Sequence, residues 1–98
     1  MIDDSFAYLV LSIVEEIPSG KVLTYGRLAS LAGYPRNSRL IGKVLSGASL
    51  YGEFPCHRVV NSAGRLVPGW DEQYNLLAKE GVTFKKSGHV NLNVHLWQ

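Results

Sequence analysis

Three short helical patterns, each closed by glycine or proline, fill the first half of the chain and predict a mainly α fold. The first pattern has apolar residues three and four positions apart, which is the spacing of one face of an amphipathic helix. This predicted core stripe consists of Phe6, Leu9, Val10, Ile13, Val14 and Ile17. Pro18 ends the helix, and an acidic or hydroxyl side chain can cap its start: Asp3, Asp4 or Ser5.

A second and a third short helix follow, joined by a turn. Thr24 can cap the second helix, which Gly33 closes. Pro35 predicts a turn because proline disfavours helical backbone at the residue before it. The third helix begins at Asn37 or Ser38 and stops near residue 47. Two short helices joined in this way predict a helix-turn-helix.

The helix-turn-helix region is basic and contains no acidic residue. No Asp or Glu lies between Ile17 and Gly52, whereas five basic residues do: Lys21, Arg27, Arg36, Arg39 and Lys43. Arg39 and Lys43 are four positions apart and therefore share a helix face. Such a stretch suits binding to DNA phosphates, because counterion release drives that binding. From charge alone, a solvated basic face without a partner is an equal alternative.

The second half of the chain predicts one more helix between short β segments. Residues 58–60, Arg-Val-Val, predict a short strand. Asp71 or Glu72 starts a helix that Gly81 closes. Near the end of the chain a half-buried strand is predicted, because apolar residues alternate there with polar ones: Val90, Leu92 and Val94.

Length and composition exclude several classes of protein. Ninety-eight residues with 46% hydrophobic content fit one domain, residues 1–98. No apolar run approaches the roughly 20 residues that a membrane span needs. The acidic start, Met-Ile-Asp-Asp, is neither a secretory signal nor a transit peptide. The chain has a single cysteine, which suits a reducing compartment, so we expect a cytoplasmic protein with no membrane partner.

Cys56, the single cysteine, lies within Pro-Cys-His-Arg-Val-Val at 55–60. A lone thiol forms no internal disulfide and no cysteine-based metal site, so it is either a buried packing residue or a nucleophile. The neighbouring cations His57 and Arg58 favour the nucleophile, because they stabilise a thiolate. His89 and His95 have no further metal-ligating residues near them in the sequence, so no metal site is predicted.

These motifs resemble the C-terminal DNA-binding and active-site domain of O6-alkylguanine-DNA alkyltransferases and the related alkyltransferase-like proteins. The matching segments are Ile-Pro-Ser-Gly-Lys-Val at 17–22, Thr-Tyr-Gly at 24–26, Ser-Arg-Leu-Ile-Gly at 38–42, the Cys56 motif at 55–60, and Leu-Leu-Ala-Lys-Glu-Gly-Val at 76–82. The Cys56 motif is the most specific of them. The resemblance implies a mainly α, winged-helix-like helix-turn-helix domain with short β segments.

The resemblance also implies how DNA is bound. The expected partner is double-stranded DNA containing O6-alkylguanine, entered from the minor groove, with the damaged nucleotide rotated out of the stack. By resemblance, Arg39 replaces the base in the stack and Tyr25 crowds the 3′ phosphate. Ser38 is the small residue that lets the helix approach the groove. Lys43 and Arg58 are further expected DNA contacts.

The implied chemistry is one irreversible transfer of the alkyl group to Cys56, as in a methylated-DNA–protein-cysteine S-methyltransferase. By resemblance, His57 takes the thiol proton through a bridging water, and Glu80 supports His57. No metal or organic cofactor takes part. The lesion pocket is expected to include four residues: Tyr25, Pro55, Val59 and Trp70.

Departures from the family pattern support an alternative. The family's N-terminal domain is missing, Ala48 stands where the family has asparagine, and the lesion-binding loop after Gly64 is shorter. Alkyltransferase-like proteins, which bind the lesion without repair and direct it to nucleotide excision repair proteins, share a short chain but usually lack the cysteine. A helix-turn-helix protein with a structural thiol is a third possibility. In each case we expect a monomer.

Overall fold

The computed structural model of the chain describes residues 4–97. Its helices and strands within that range occur in the following order: α1 (Asp4–Glu16), β1 (Leu23–Thr24), α2 (Tyr25–Leu31), α3 (Ser38–Ser46), a 3-10 helix (Ala48–Leu50), a second 3-10 helix (Cys56–Arg58), β2 (Val59–Val60), α4 (Glu72–Lys79) and α5 (Leu92–His95). The predicted mainly α fold with short β segments is confirmed. No helix in this range is both long and apolar enough to cross a membrane.

Helix α1 supplies one side of the main core. Its buried face has the expected three-and-four spacing and consists of Ala7, Val10, Leu11 and Val14. The predicted stripe was wrong at Leu9, whose side chain is 45% exposed, because the buried face is centred on Ala7 and Leu11 instead. Asp3, one of the proposed caps, lies outside the described residues.

The caps of α2 and α3 differ from each other. The Thr24 hydroxyl accepts a hydrogen bond from the Arg27 N–H at 3.1 Å, so the predicted cap of α2 is confirmed. Asn37 occupies the N-cap position of α3, but its side chain makes no capping hydrogen bond. Helices α1, α2 and α3 pack against one another around Leu28 and Ile41, both fully buried.

A short parallel sheet joins the two halves of the chain. Strand β1 pairs with β2 in the register Leu23 with Val59 and Thr24 with Val60. Because β1 leads directly into α2 and β2 directly follows the turn that carries Cys56, this pairing ties the cysteine segment to the helix-turn-helix. A smaller cluster, which includes Val60, packs under α4.

The strand predicted near the end of the chain is wrong. Residues 92–95 form the short helix α5, because the Asn91 carbonyl accepts hydrogen bonds from the N–H groups of Val94 and His95. Val94 is consequently 53% exposed, contrary to the alternating pattern. Val90 retains a single antiparallel bridge to Phe84.

Candidate active site and DNA-binding surface

Cys56 lies at the start of a tight turn, the 3-10 helix Cys56–Arg58. The Cys56 N–H donates to the Phe54 carbonyl at 2.8 Å, and the Arg58 N–H donates to the Pro55 carbonyl at 3.0 Å. These bonds turn the half-buried thiol towards a cavity of about 270 Å³. Cys56 shares the lining of this cavity with residues of α2, α3 and the loop before α4: Tyr25, Gly42, Leu45, Ser46, Val67 and Trp70. We call it the Cys56 cavity.

Two of the four predicted pocket residues, Tyr25 and Trp70, line the Cys56 cavity. Val59 does not, because its side chain is fully buried in the main core, and its expected pocket role is corrected. Pro55 precedes the thiol in the turn but is not part of the lining. The cavity wall is therefore built by the loop before α4 more than by the strand after Cys56.

His57, the residue after Cys56, forms a short contact with Glu80. Nε2 of His57 lies 2.8 Å from Oε2 of Glu80, and the two side chains are 14% and 15% exposed. Burial alone would raise the pKa of Glu80, but hydrogen bonds from Arg58 and His57 and their positive charge outweigh it and hold that pKa below its usual value. Glu80 is therefore a carboxylate and can only accept, so Nε2 of His57 carries the proton. In the neutral imidazole, Nδ1 then has a free lone pair, and no group within residues 4–97 hydrogen-bonds to it.

Arg58 points into the protein. Its Nη2 donates to Oε2 of Glu80 at 2.7 Å, its Nε donates to Oε1 at 3.0 Å, and its Nη1 donates to the Ile17 carbonyl at 2.8 Å. All three nitrogens of the guanidinium thus have internal acceptors. This geometry favours a role in anchoring Glu80 over the predicted DNA contact.

The electrostatics around the thiol differ from the expectation based on its neighbours. Burial raises the pKa of Cys56, and its backbone hydrogen bond offsets this only in part. The expected stabilisation of the thiolate by cations is not met, because His57 and Arg58 both face Glu80. Burial also raises the pKa of Tyr25, and a charge on Cys56 would raise it further, so the Tyr25 hydroxyl remains a hydrogen-bond donor.

The predicted DNA-binding residues lie next to this cavity. Ser38 and Arg39, at the start of α3, line a shallow depression of about 300 Å³ together with Tyr25 and Gly42, which also line the Cys56 cavity. Arg39 and Lys43 are exposed. Neither forms a salt bridge with an acidic residue within residues 4–97, where Glu80 is the acid in both salt bridges.

Sequence reasoning missed Gln73, the buried polar residue in the first turn of α4. Its side chain is fully buried and hydrogen-bonds to the backbone of Val67, His57 and Val59. The available signal was its spacing. Gln73 lies four positions before Leu77, on the buried face of the helix, where an unpaired amide would be costly.

Comparisons with known proteins identify the family of the chain. The family described as "6-O-methylguanine DNA methyltransferase, DNA binding domain" matches residues 5–82. The chain belongs to this family. The resemblance stated from the sequence motifs is thereby confirmed, and the chain is a DNA-binding domain of a DNA repair family.

The chain is similar to proteins named for base flipping, for methyl transfer and for binding damaged DNA. A "DNA base-flipping protein" of Vibrio parahaemolyticus is 36% identical over 98 residues, which cover 97% of this chain and 98% of that protein. The human methylated-DNA–protein-cysteine methyltransferase is 35% identical over 94 residues, 87% of this chain and 43% of the human protein. The crystal structure of Schizosaccharomyces pombe Atl1 with damaged DNA containing O6-carboxymethylguanine has a TM-score of 0.86 and 34% identity, and covers 100% of this chain and 99% of that one.

Proposed function

We propose that this protein binds double-stranded DNA through α2 and α3 from the minor groove and rotates O6-alkylguanine into the Cys56 cavity. The observation that carries the proposal is the shared lining of the cavity and the depression beside Arg39. Tyr25 and Gly42 belong to both, so a base displaced at Arg39 has a short path to the sulfur of Cys56. The names of the similar proteins, a base-flipping protein and an Atl1 complex with damaged DNA, support this reading.

Base rotation is a physical requirement of minor-groove binding to this lesion. The O6 atom of guanine faces the major groove, so a protein in the minor groove reaches it only when the nucleotide leaves the stack. Unstacking costs a few kcal/mol and is easiest for a poorly paired base. The exposed Arg39 guanidinium can fill the vacated space, and the Tyr25 hydroxyl can donate a hydrogen bond within the cavity.

We further propose that Cys56 accepts the alkyl group from the bound base. Nδ1 of His57 takes the thiol proton, directly or through a water, while Glu80 holds the opposite edge of the ring. The sulfur then forms a bond to the alkyl carbon as the carbon–O6 bond breaks. The electron pair of that bond goes to the guanine, which receives the proton that left the thiol. The products are a thioether and an unmodified guanine, and the protein acts once.

A non-catalytic damage sensor, which would pass the lesion to nucleotide excision repair proteins, is the second candidate. Burial raises the pKa of Cys56 and so reduces the reactive thiolate, which favours binding without transfer. Ala48, in the position where the family has asparagine, is buried and offers no side-chain hydrogen bond next to the turn. The same cavity and the same base rotation serve both candidates.

Intact mass spectrometry after incubation with a duplex containing one O6-methylguanine separates the two candidates. Transfer predicts a mass gain of one methylene on the protein, absent from the Cys56→Ser variant. A tight complex with unchanged protein mass supports the sensor and contradicts transfer. Equal affinity for the lesion duplex and the same duplex with unmodified guanine would contradict lesion recognition, and with it both candidates.

A further inference from the structure

Gln73 has a fully buried side chain that takes no part in the proposed base binding or alkyl transfer. Its Oε1 accepts a hydrogen bond from the Val67 N–H at 2.7 Å, and its Nε2 donates to the carbonyls of His57 and Val59 at 3.0 and 3.1 Å. The orientation of the amide is fixed by these partners, because a flip would place its donors against an N–H and its oxygen against two carbonyls. The side chain is thus a bridge between two backbone segments.

The first of these segments is the wall of the Cys56 cavity. Val67 and Trp70 line the cavity, and the turn between them is closed by the Trp70 N–H, which donates to the Val67 carbonyl at 3.2 Å. The Gln73 N–H donates to the Trp70 carbonyl, also at 3.2 Å. Gln73 therefore holds the wall by its backbone at one end and by its side chain at the other.

The second segment is the turn that carries the thiol. Gln73 holds the carbonyl of His57, the residue after Cys56 in this turn, and the carbonyl of Val59, the first residue of β2 after the turn. Glu80 holds the ring of His57 at Nε2. Gln73 and Glu80 are seven positions apart, about two helical turns, and Glu80 is the C-cap residue just after α4. Gln73 therefore contacts His57 at its backbone and Glu80 contacts its ring from one side of the helix.

We propose that Gln73 is a positioning residue that sets the distance between the cavity wall and the Cys56 turn. A single buried amide then determines how far the wall can open and how well the thiol is shielded. Without this amide, three buried backbone groups lose a hydrogen-bond partner: the Val67 N–H and the carbonyls of His57 and Val59. Because unpaired buried polar groups are costly, the two segments then tend to separate so that water can reach these groups. Neither the chemistry of the thiol nor the DNA contacts involve Gln73 directly.

The test compares Gln73→Met, close in size but without the amide, with Leu77→Ala. Leu77 is equally buried and one turn along the same face of α4, and its side chain makes no polar contact, so Leu77→Ala reports destabilisation alone. The first measurement is the rate at which iodoacetamide modifies Cys56, the sole cysteine, followed by intact mass without DNA. We expect Gln73→Met to react about tenfold faster than wild type, because it removes the three hydrogen bonds that hold the cavity wall and the Cys56 turn together. Equal rates in Gln73→Met and Leu77→Ala would overturn the proposal.

The second measurement, amide hydrogen exchange, uses the wild-type protein and therefore tests the proposal even if Gln73→Met does not fold. In the wild-type protein, the Val67 amide should exchange with solvent deuterium as slowly as amides inside α4, although it lies in a loop. An exchange rate equal to that of Gly69, whose N–H has no recorded partner within residues 4–97, would contradict the bridge.

The third measurement rests on the proposed function. The ratio of affinities for O6-methylguanine duplex and undamaged duplex should fall about tenfold in Gln73→Met, with undamaged binding unchanged. A wild-type protein without lesion preference would refute the proposed function, while the thiol and exchange measurements would still decide the role of Gln73. A preference retained in Gln73→Met would count against its role in positioning the wall.

Discussion

Removal of the Glu80 carboxylate should destabilise the protein more than removal of any solvated acid. Glu80 accepts from Nε2 of His57 at 2.8 Å and from Nη2 of Arg58 at 2.7 Å, with Nε of Arg58 at 3.0 Å. The side chains are 14% exposed for His57, 15% for Glu80 and 17% for Arg58. Without the carboxylate, Arg58 keeps only the Ile17 carbonyl and its positive charge has no counterion.

The size of the effect follows from this burial. An exposed ion pair contributes at most about 1 kcal/mol, whereas breaking a fully buried one costs about 3–5 kcal/mol. Because the three side chains retain about a sixth of their exposure, Glu80→Ala should lower the free energy of unfolding by about 2–4 kcal/mol. Glu80→Gln, which keeps the shape and one acceptor but not the charge, should cost about half of that.

Urea denaturation followed by circular dichroism measures these differences, with Glu72→Gln as a matched control. Glu72 is exposed in the first turn of α4 and has no ion pair among residues 4–97, so its loss should change stability by less than about 0.5 kcal/mol. A Glu80→Ala effect as small as that of the control would refute the reasoning.

The pH dependence gives an independent check. The pKa of Glu80 is lower in the folded protein than its ordinary value of 4.5, so the carboxylate stabilises the fold above that value. The stability difference between wild type and Glu80→Gln should therefore be present above about pH 5 and shrink as the pH falls further, through the folded pKa. A difference that persists unchanged at about pH 3 would show that charge is not its source.

Three further predictions concern the DNA-binding surface, the Cys56 cavity and the loop between β2 and α4. Arg39→Ala should weaken binding to an O6-methylguanine duplex more than Lys43→Ala, because it loses the group that fills the stack as well as a charge; equal losses in a fluorescence-anisotropy titration would argue against base rotation. Gly42→Leu should lose lesion preference in the same titration yet gain up to about 1 kcal/mol of stability, since a Cβ there meets no atom within 4 Å and glycine is a poor helix former. Gly64→Ala should cost about 3 kcal/mol or more in denaturation, because Gly64 has a φ of +85° and a Cβ would lie 2.6 Å from the Val90 carbonyl oxygen; a loss below about 1 kcal/mol would contradict this.

Local signals allowed the first half of the fold to be predicted. The Thr24 cap and the breakers Pro18 and Gly33 act within a few residues, so the sequence places α2 and the end of α1 correctly. The strand predicted around Leu92 was wrong because the local signal there is ambiguous. Alternating apolar residues satisfy both a short strand and a single helical turn, and the hydrogen bonds to the Asn91 carbonyl decided in favour of the helix.

The site could be predicted only where a motif carries it. The Cys56 motif drew attention to the thiol, and the contact between His57 and Glu80 matches the implied relay. The inward orientation of Arg58 could not be predicted, because its acceptor lies 22 positions away and only the tertiary fold brings the two together. The role of Gln73 could not be predicted either, because its three hydrogen-bond partners are backbone groups, and nearly every residue type has such groups.

Under the proposed transfer to Cys56, the arrangement of charges explains how the thiol stays unreactive until the damaged base is bound. Glu80 binds the side chains of both His57 and Arg58, so burial dominates and the raised pKa of Cys56 keeps the sulfur in its less reactive, protonated form. A protonated thiol reacts slowly with the small electrophiles and oxidants that reach an empty cavity. In the proposed transfer, a base that fills the cavity holds its alkyl carbon at the sulfur, and Nδ1 of a neutral His57 accepts the thiol proton at the moment of attack. Selectivity then comes from the geometry of the occupied cavity, because the resting thiol itself has little reactivity.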